Sequence, residues 1–271
     1  MKIFKDKSSL IKEISNKKNI AFVPTMGSIH KGHLSLIAKA KKESLNVLVS
    51  IYINPKQFNS NLDFKKYPRN IDKDIALLKK TNIKYLYLPT DNDIYSFAPN
   101  TPVYLDKFSK KLCGNHKPNH FKGVINVVNR FIEIIKPHSI FLGFKDFQQL
   151  TLIKKHFDKN KILTKIITCP TVREKNGVAL SSRNIRLKKK QLIIAANIYK
   201  YLKDLKKNII PFDLQKNNSS ILNKIRLFGI KKIDYLEFIN TKTLQPIKNF
   251  NENYKIFIAY YIGRVRLIDN L

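Results

Sequence analysis

The chain has 271 residues, 43% of them hydrophobic and 26% charged, and a formal net charge of +33. That length supports one sizeable core and a smaller second unit, and that balance excludes a disordered chain. A large positive charge suits a nucleic-acid or membrane-surface binder, but the lysines fall on nearly every segment and not in one stripe, so the excess reads as compositional and neither partner is expected.

The N-terminal stretch "MKIFKDKSSLIKEIS" has basic residues but no continuous apolar run of the kind a signal peptide carries. No apolar run approaches the ~20 residues that span a bilayer. The two cysteines, Cys113 and Cys169, lack C-x-x-C spacing, which argues against a zinc site or a disulfide framework and fits a reducing compartment. A cytoplasmic location is the expectation.

Strand-like and helix-like runs then alternate. "NIAFVPT" reads as a buried strand. "HLSLIAKAKKES" has Leu34, Ile37 and Ala38 at i, i+3 and i+4, a helical spacing. "NVLVSIYIN" is a second strand, "NIDKDIALLKKT" a short amphipathic helix and "IKYLYLP" a third strand. "FKGVINVVNRFIEIIK" is a longer helix ended by Pro137. "SIFLGFK", "DFQQLTLIKKHF" and "KILTKIITCP" follow as strand, helix and strand. The alternation predicts an α/β fold, a mostly parallel sheet with helices on both faces, whose ligands bind at the carboxyl ends of the strands. Four loops should meet there: residues 24–33, 54–58, 143–149 and 171–183.

After Arg183 the pattern changes. "LKKKQLIIAANIYKYLKDLKKN" is a helix with a basic face, followed by a polar stretch at residues 216–220 and a short helix. "KKIDYLEFIN", "YKIFIAYYIG" and "RVRLID" look like antiparallel strands. The expected division is therefore residues 1–183 and a smaller α+β domain at 184–271.

The loops carry the chemistry. "PTMGSIHKGH" lacks both common glycine-rich phosphate loops, but His30-Lys31-Gly32-His33 has the form H-x-G-H. Gly32 admits close approach of a ligand. His33 falls where a helix should begin, and a helix N-terminus favours phosphate. Two imidazoles there can donate to phosphoryl oxygens and stabilise developing charge; they can equally be plain loop or cap residues. In "INPKQF", Asn54 and Gln57 each donate and accept, as a ligand with hydroxyl and carboxylate groups requires, or make a polar turn. In "GFKDFQQL", Gly143 ends a strand, Lys145 is a point charge for phosphate, Asp146 is a candidate N-cap, and Gln149 can face the same cleft as Gln57. In "TVREKNGVALSSRN", Ser181, Ser182 and Arg183 make either a phosphate clamp or a helix N-cap pair at the domain junction.

Together, "FVPTMGSIHKGHLSLI", "VSIYINPKQF", "HFKGVINVVNRFIEIIKP", "FLGFKDFQQL", "PTVREKNGVALSSRN", "DYLEF" and "RVRLIDN" resemble the pantothenate synthetase (pantoate–β-alanine ligase) family, in order and over essentially the whole chain. The resemblance implies a Rossmann-like ATP- and pantoate-binding domain, a C-terminal lid domain and a homodimer. It also implies the ATP- and Mg2+-dependent joining of pantoate to β-alanine through a pantoyl adenylate. Met26, Gly27, Ser28, Ile29, His30, Lys31, Gly32 and His33 would line the ATP site. Gly143, Phe144, Lys145, Asp146 and Val172, with Leu180, Ser181, Ser182 and Arg183, would complete it. His30, His33, Lys145 and Arg183 would act on the phosphates, and His33 matches the histidine assigned as proton donor. Gln57 and Gln149, with Asn54, would hold pantoate, and Gln57 would also lie near β-alanine. The metal ligands stay unassigned.

Four positions depart from the family pattern. Phe144 stands where a polar residue is usual, Lys117 replaces Arg, Asn119 replaces Gly at what should be a positive-φ position, and Leu180 replaces Met. None removes a catalytic group, so an active enzyme is expected. Two rivals remain at this level. Another nucleotidyl-transfer enzyme would share H-x-G-H but would not need the Gln57/Gln149 pair. An RNA-binding protein would need a basic face lined with aromatics.

Overall fold

The structure is a computed structural model that describes residues 1–208 and 214–271, with the side chains of 214–217 left aside. Two compact units divide the chain, Met1–Val172 and Arg173–Leu271. The expected boundary near residue 184 lies inside the second of them.

The first unit is a six-stranded sheet, all parallel, in the order β1-β4-β3-β2-β5-β6. Its strands are β1 (Lys2–Phe4), β2 (Ile20–Thr25), β3 (Asn46–Ile51), β4 (Tyr85–Tyr87), β5 (Ser139–Gly143) and β6 (Lys165–Cys169). Between them run α1 (Lys7–Ile14), α2 (Lys31–Glu43), α3 (Asn61–Lys65), α4 (Ile71–Lys79), α5 (Asp91–Tyr95), α6 (Cys113–His116), α7 (His120–Ile135) and α8 (Phe147–Lys159). β1 and α1 add to the elements read from periodicity: Asp6 starts α1 by accepting from Ser9 N–H at 2.8 Å, as an N-cap does.

Both faces of the sheet are covered, as a parallel sheet requires. Ala21 and Val23 of β2 and Val47 and Val49 of β3 share a core with Leu36, Ile37 and Ala40 of α2 and Leu78 of α4. Phe22 alternates to the other face, where its ring lies 5.3 Å from Phe131 of α7. Alternation along β2 therefore fixes which helix covers which face.

The order of strands locates the site. β2 pairs with β3 on one side and β5 on the other, so the chain winds outward in both directions from the β2/β5 junction. In folds of this kind the loops diverge at such a point and ligands bind at the carboxyl edge.

The second unit holds α9 (Lys189–Asn208), α10 (Leu214–Leu227) and the antiparallel sheet β7 (Lys232–Asn240), β8 (Tyr254–Ile262) and β9 (Val265–Asn270). Ala195, Ile198 and Leu202 of α9 and Ile221 and Ile225 of α10 pack with Leu236, Ile256, Ile258 and Tyr260 of the sheet. Residues 216–220, expected as a polar connection, lie within α10, because burial of Ile221 and Ile225 outweighs the weak helix propensity of Asn and Ser. Arg173 belongs with this unit: its guanidinium grips Asp269 of β9 at 2.6 and 2.9 Å, a bidentate pair.

One buried group gives the fold a dependence on pH. His156 of α8 is fully buried; its Nδ1 accepts from Tyr104 N–H at 3.2 Å and its Nε2 faces Asn129 Oδ1 at 3.3 Å. Burial pushes its pKa down to about 4, whereas an exposed imidazole titrates near ~6.5. The unfolded chain therefore takes the proton first. The stability is complete above ~6.5 and is lost as pH falls towards about 4. Between pH 7 and pH 5, urea denaturation should show a loss smaller by about 2 kcal/mol in His156→Gln than in the unaltered protein.

Candidate active site

β2 ends at Thr25, and the chain turns through Gly27 (φ 76°) and Ser28 (φ 52°) before α2 begins. A Cβ on Gly27 would lie 3.0 Å from Asp74 Oδ2. That carboxylate, on α4 and 3% exposed, holds the turn by accepting from Ser28 N–H and Ile29 N–H at 2.7 Å each. Within the amphipathic helix expected over "NIDKDIALLKKT", spacing alone carries no sign that Asp74 points inward.

His30 is the N-cap of α2, with its Nδ1 accepting from Gly32 N–H at 3.1 Å. His33 Nδ1 reaches back to accept from His30 N–H at 3.3 Å. The two rings stack with centroids 4.0 Å apart. The cap alternative is thus realised. Because a backbone N–H donates to each Nδ1, each neutral ring carries its proton on Nε2. Burial, and then nearby Lys145, push His30 down to about 4. Burial, His30 and Lys145 push His33 down to about 3. At neutral pH the pair is therefore two N–H donors and not two cations.

The cation comes from the loop after β5. Lys145 is half-buried, with Asp146 Oδ1 3.6 Å from its Nζ. Asp146 stands at the N-cap position of α8, yet its side chain makes no cap bond; its carboxylate faces the ammonium instead. The Phe144 ring packs edge-on against Phe147 at 5.4 Å. The adjacent glutamines differ sharply. Gln148 is buried and structural, accepting from Cys113 N–H and donating to Phe108 and Lys111 carbonyls. Gln149 is half-buried on the first turn of α8.

The loop after β3 supplies the third wall. Asn54, 1% exposed, donates to Gln57 Oε1 at 3.3 Å and to the Gly123 carbonyl at 3.2 Å. Gln57 Nε2 points to Met26 Sδ, so this loop touches the one after β2. His120 Nδ1 lies 2.6 Å from the Gln57 carbonyl. Gly123 lets α7 come this close: a Cβ there would lie 2.2 Å from the Lys56 carbonyl. A glycine inside a helical run was the available signal for such an approach. Asn119, before α7, adopts φ 62°, the left-handed conformation expected of it and one that asparagine tolerates.

Three of the four expected loops, those after β2, β3 and β5, thus belong to the first unit. Val172 is its last residue, and Leu180, Ser181, Ser182 and Arg183 belong to the second. There Ser181 Oγ accepts from Arg183 N–H at 3.2 Å in a tight turn before the short 3-10 segment Asn184–Arg186. The hydroxyls do not cap α9, which starts only at Lys189. Among the described residues, no group of three or more His, Cys, Asp or Glu side chains is placed to hold a metal ion, and no helix is long and apolar enough to cross a membrane.

The Asp74 contacts generate a direct test. Asp74→Ala takes the acceptor from one buried and one half-buried N–H group, of Ile29 and Ser28, and a buried donor left so costs about 1–3 kcal/mol. Urea denaturation should show a loss of roughly 3 kcal/mol.

Comparison with known proteins agrees with this geometry. A family profile described as pantoate-beta-alanine ligase matches residues 2–271. A pantothenate synthetase of Clostridium botulinum is 39% identical over 271 residues, covering 98% of this chain and 96% of that protein. The crystal structure of a pantothenate synthetase from Thermus thermophilus superposes with a TM-score of 0.91 at 29% identity, covering 100% of this chain and 99% of that one. A pantoate-beta-alanine ligase from Francisella tularensis, solved in complex with beta-gamma ATP and beta-alanine, superposes with a TM-score of 0.85 at 36% identity, covering 100% and 97%. With a six-stranded parallel sheet, an H-x-G-H cap at its β2/β5 junction and a match along its whole length, the chain belongs to the pantoate–β-alanine ligase family.

Proposed function

We propose that this protein condenses pantoate with β-alanine using ATP, releasing AMP and pyrophosphate. The observation that carries the proposal is the stacked, neutral His30–His33 pair capping α2, in the loop whose Met26 Gln57 also touches. Family membership and the ATP and β-alanine of the Francisella complex support the same reading.

A carboxylate is a poor acyl donor because its leaving group would be oxide. Attack of the pantoate carboxylate on the α-phosphorus of ATP forms a P–O bond and expels pyrophosphate. The acyl group of the resulting pantoyl adenylate now has AMP as its leaving group. The amine of β-alanine attacks the carbonyl, loses a proton and displaces AMP. In the first step charge moves over phosphoryl oxygens, so positioning and electrostatic stabilisation dominate.

His30 and His33 supply two Nε2–H donors and Lys145 the positive charge. The turn of Met26, Gly27, Ser28 and Ile29, with Lys31 and Gly32, forms the nucleotide wall on one side. Gly143, Phe144 and Asp146 form it on the other. Gln57 and Gln149, with Asn54, hold pantoate, and Gln57 borders β-alanine. Val172, Leu180, Ser181, Ser182 and Arg183 are assigned to the nucleotide by family resemblance, and the second unit to a lid that excludes water from the mixed anhydride.

Mg2+ fits this donor set as a companion of the triphosphate. It keeps several waters and binds through substrate phosphates plus one or two carboxylates, and exposed Asp146 beside Lys145 is the acid in the right loop. When bound it offsets phosphate charge. A homodimer and a cytoplasmic location belong to the same proposal.

Pantoate-dependent exchange between ATP and pyrophosphate, measured without β-alanine, tests the first step. The intact protein should exchange only when pantoate is present. His33→Ala should slow exchange by about 10²–10³, the effect of removing one donor from developing charge. The acid limb of kcat/KM from the histidine pair should lie near pH 4, below that of an exposed imidazole. Exchange that is independent of pantoate, or absent although ATP binds, would overturn the substrate assignment.

A further inference from the structure

The hydrogen bonds around Asn54 have their direction dictated by two groups that cannot reverse it. Lys56 N–H donates to one end of the amide at 3.1 Å, so that end is Oδ1. The Gly123 carbonyl accepts from the other end at 3.2 Å, so that end is Nδ2. Amide orientation is thereby settled by chemistry. Two consequences follow. Tyr95, whose hydroxyl lies 2.8 Å from Asn54 Oδ1, must donate to it. Gln57, 3.3 Å from Asn54 Nδ2, must present Oε1 to it, which turns Gln57 Nε2–H towards Met26 in the loop after β2.

We infer that Tyr95 is a positioning residue: acting through Asn54, it holds the Gln57 amide with its N–H donors towards the substrate, so that this subsite selects a ligand oxygen that accepts. The role rests on the reading of Gln57 as a pantoate contact. Pantoate offers carboxylate and hydroxyl oxygens, and a ligand with only a donor at that point is rejected, since a donor-to-donor contact leaves both groups unpaired.

Tyr95 is built to stay in place. It ends α5, and Arg130 of α7, 8% exposed, holds that end by donating to the Ile94 carbonyl at 3.0 Å and to the Phe97 carbonyl. The Arg130 guanidinium lies 4.9 Å from the Tyr95 ring centroid and its Nε donates to Asn126 at 2.7 Å. Lys56 Nζ lies 3.7 Å from the same ring centroid. Two cations on one ring fix it by cation–π attraction. Burial pushes the Tyr95 pKa up to about 12, so the phenol keeps the proton it donates throughout the working range.

Tyr95→Phe removes the hydroxyl and keeps the ring with its cations. Asn54 Oδ1 then keeps Lys56 N–H and Nδ2 keeps the Gly123 carbonyl, so the amide holds its sense but loses the contact that fixes its tilt against Gln57. In the exchange assay Y95F should raise the pantoate KM about tenfold, with the ATP KM unchanged. In a Gln57→Ala background the same substitution should have no further effect, because Tyr95 acts through Gln57. An unchanged pantoate KM in Y95F, beside a wild type that exchanges, overturns the role. So do effects of the two substitutions that multiply, or a rise in the ATP KM matching that for pantoate. A wild type without pantoate-dependent exchange takes down the substrate assignment, and this role with it.

Discussion

Parallel pairing of β2 with both β3 and β5 is the constraint on which the rest depends. A parallel strand must leave from the same edge at which its neighbours leave, so the loops after β2, β3 and β5 have no alternative to meeting. The winding reverses between β2 and β5. The loops there carry the two histidines, Lys145 and the Asn54/Gln57 amide pair.

Backbone groups then decide the state of each side chain. N–H groups of α2 hold the Nδ1 atoms of His30 and His33, making both rings neutral donors at Nε2. Lys56 N–H and the Gly123 carbonyl set the sense of Asn54 and, through it, of Gln57. A buried amide or imidazole has two orientations or tautomers, and only a fixed partner makes one of them dominant. Such preorganisation avoids reorganising dipoles during reaction, which is where enzymes gain most of their electrostatic stabilisation.

The positive charge plays a narrower part than its size suggests. Of the many lysines, Lys145 is drawn against the histidine pair, where burial and proximity hold both imidazoles uncharged. A protonated pair beside that ammonium would repel it. Lysines elsewhere on the surface are screened within a Debye length of ~8–10 Å and act on a polyanionic substrate chiefly through long-range attraction.

Apolar periodicity by itself determined the parallel sheet, the main helices and the three antiparallel strands, since burial of one helix stripe or one strand face leaves a repeat in the chain. Loop chemistry and the family resemblance, not periodicity, singled out H-x-G-H, Asn54, Gln57, Lys145 and Gln149, which fall in or just after the loops that leave β2, β3 and β5. β1, α1, α3, α5 and α6 escaped the periodicity, being short, and residues 216–220 were drawn into α10 by apolar neighbours that a local polar stretch conceals. Only the tertiary structure decided that Asp74 points inward to hold Ser28 and Ile29, that Gly123 is needed for α7 to reach Lys56, that Asp146 faces Lys145 and not its own helix, and that Gln148 is tied to the Cys113, Phe108 and Lys111 backbone. Each of these depends on a partner far away in the chain. Local spacing reports which face of an element a residue occupies, and says nothing of what another element brings to meet it.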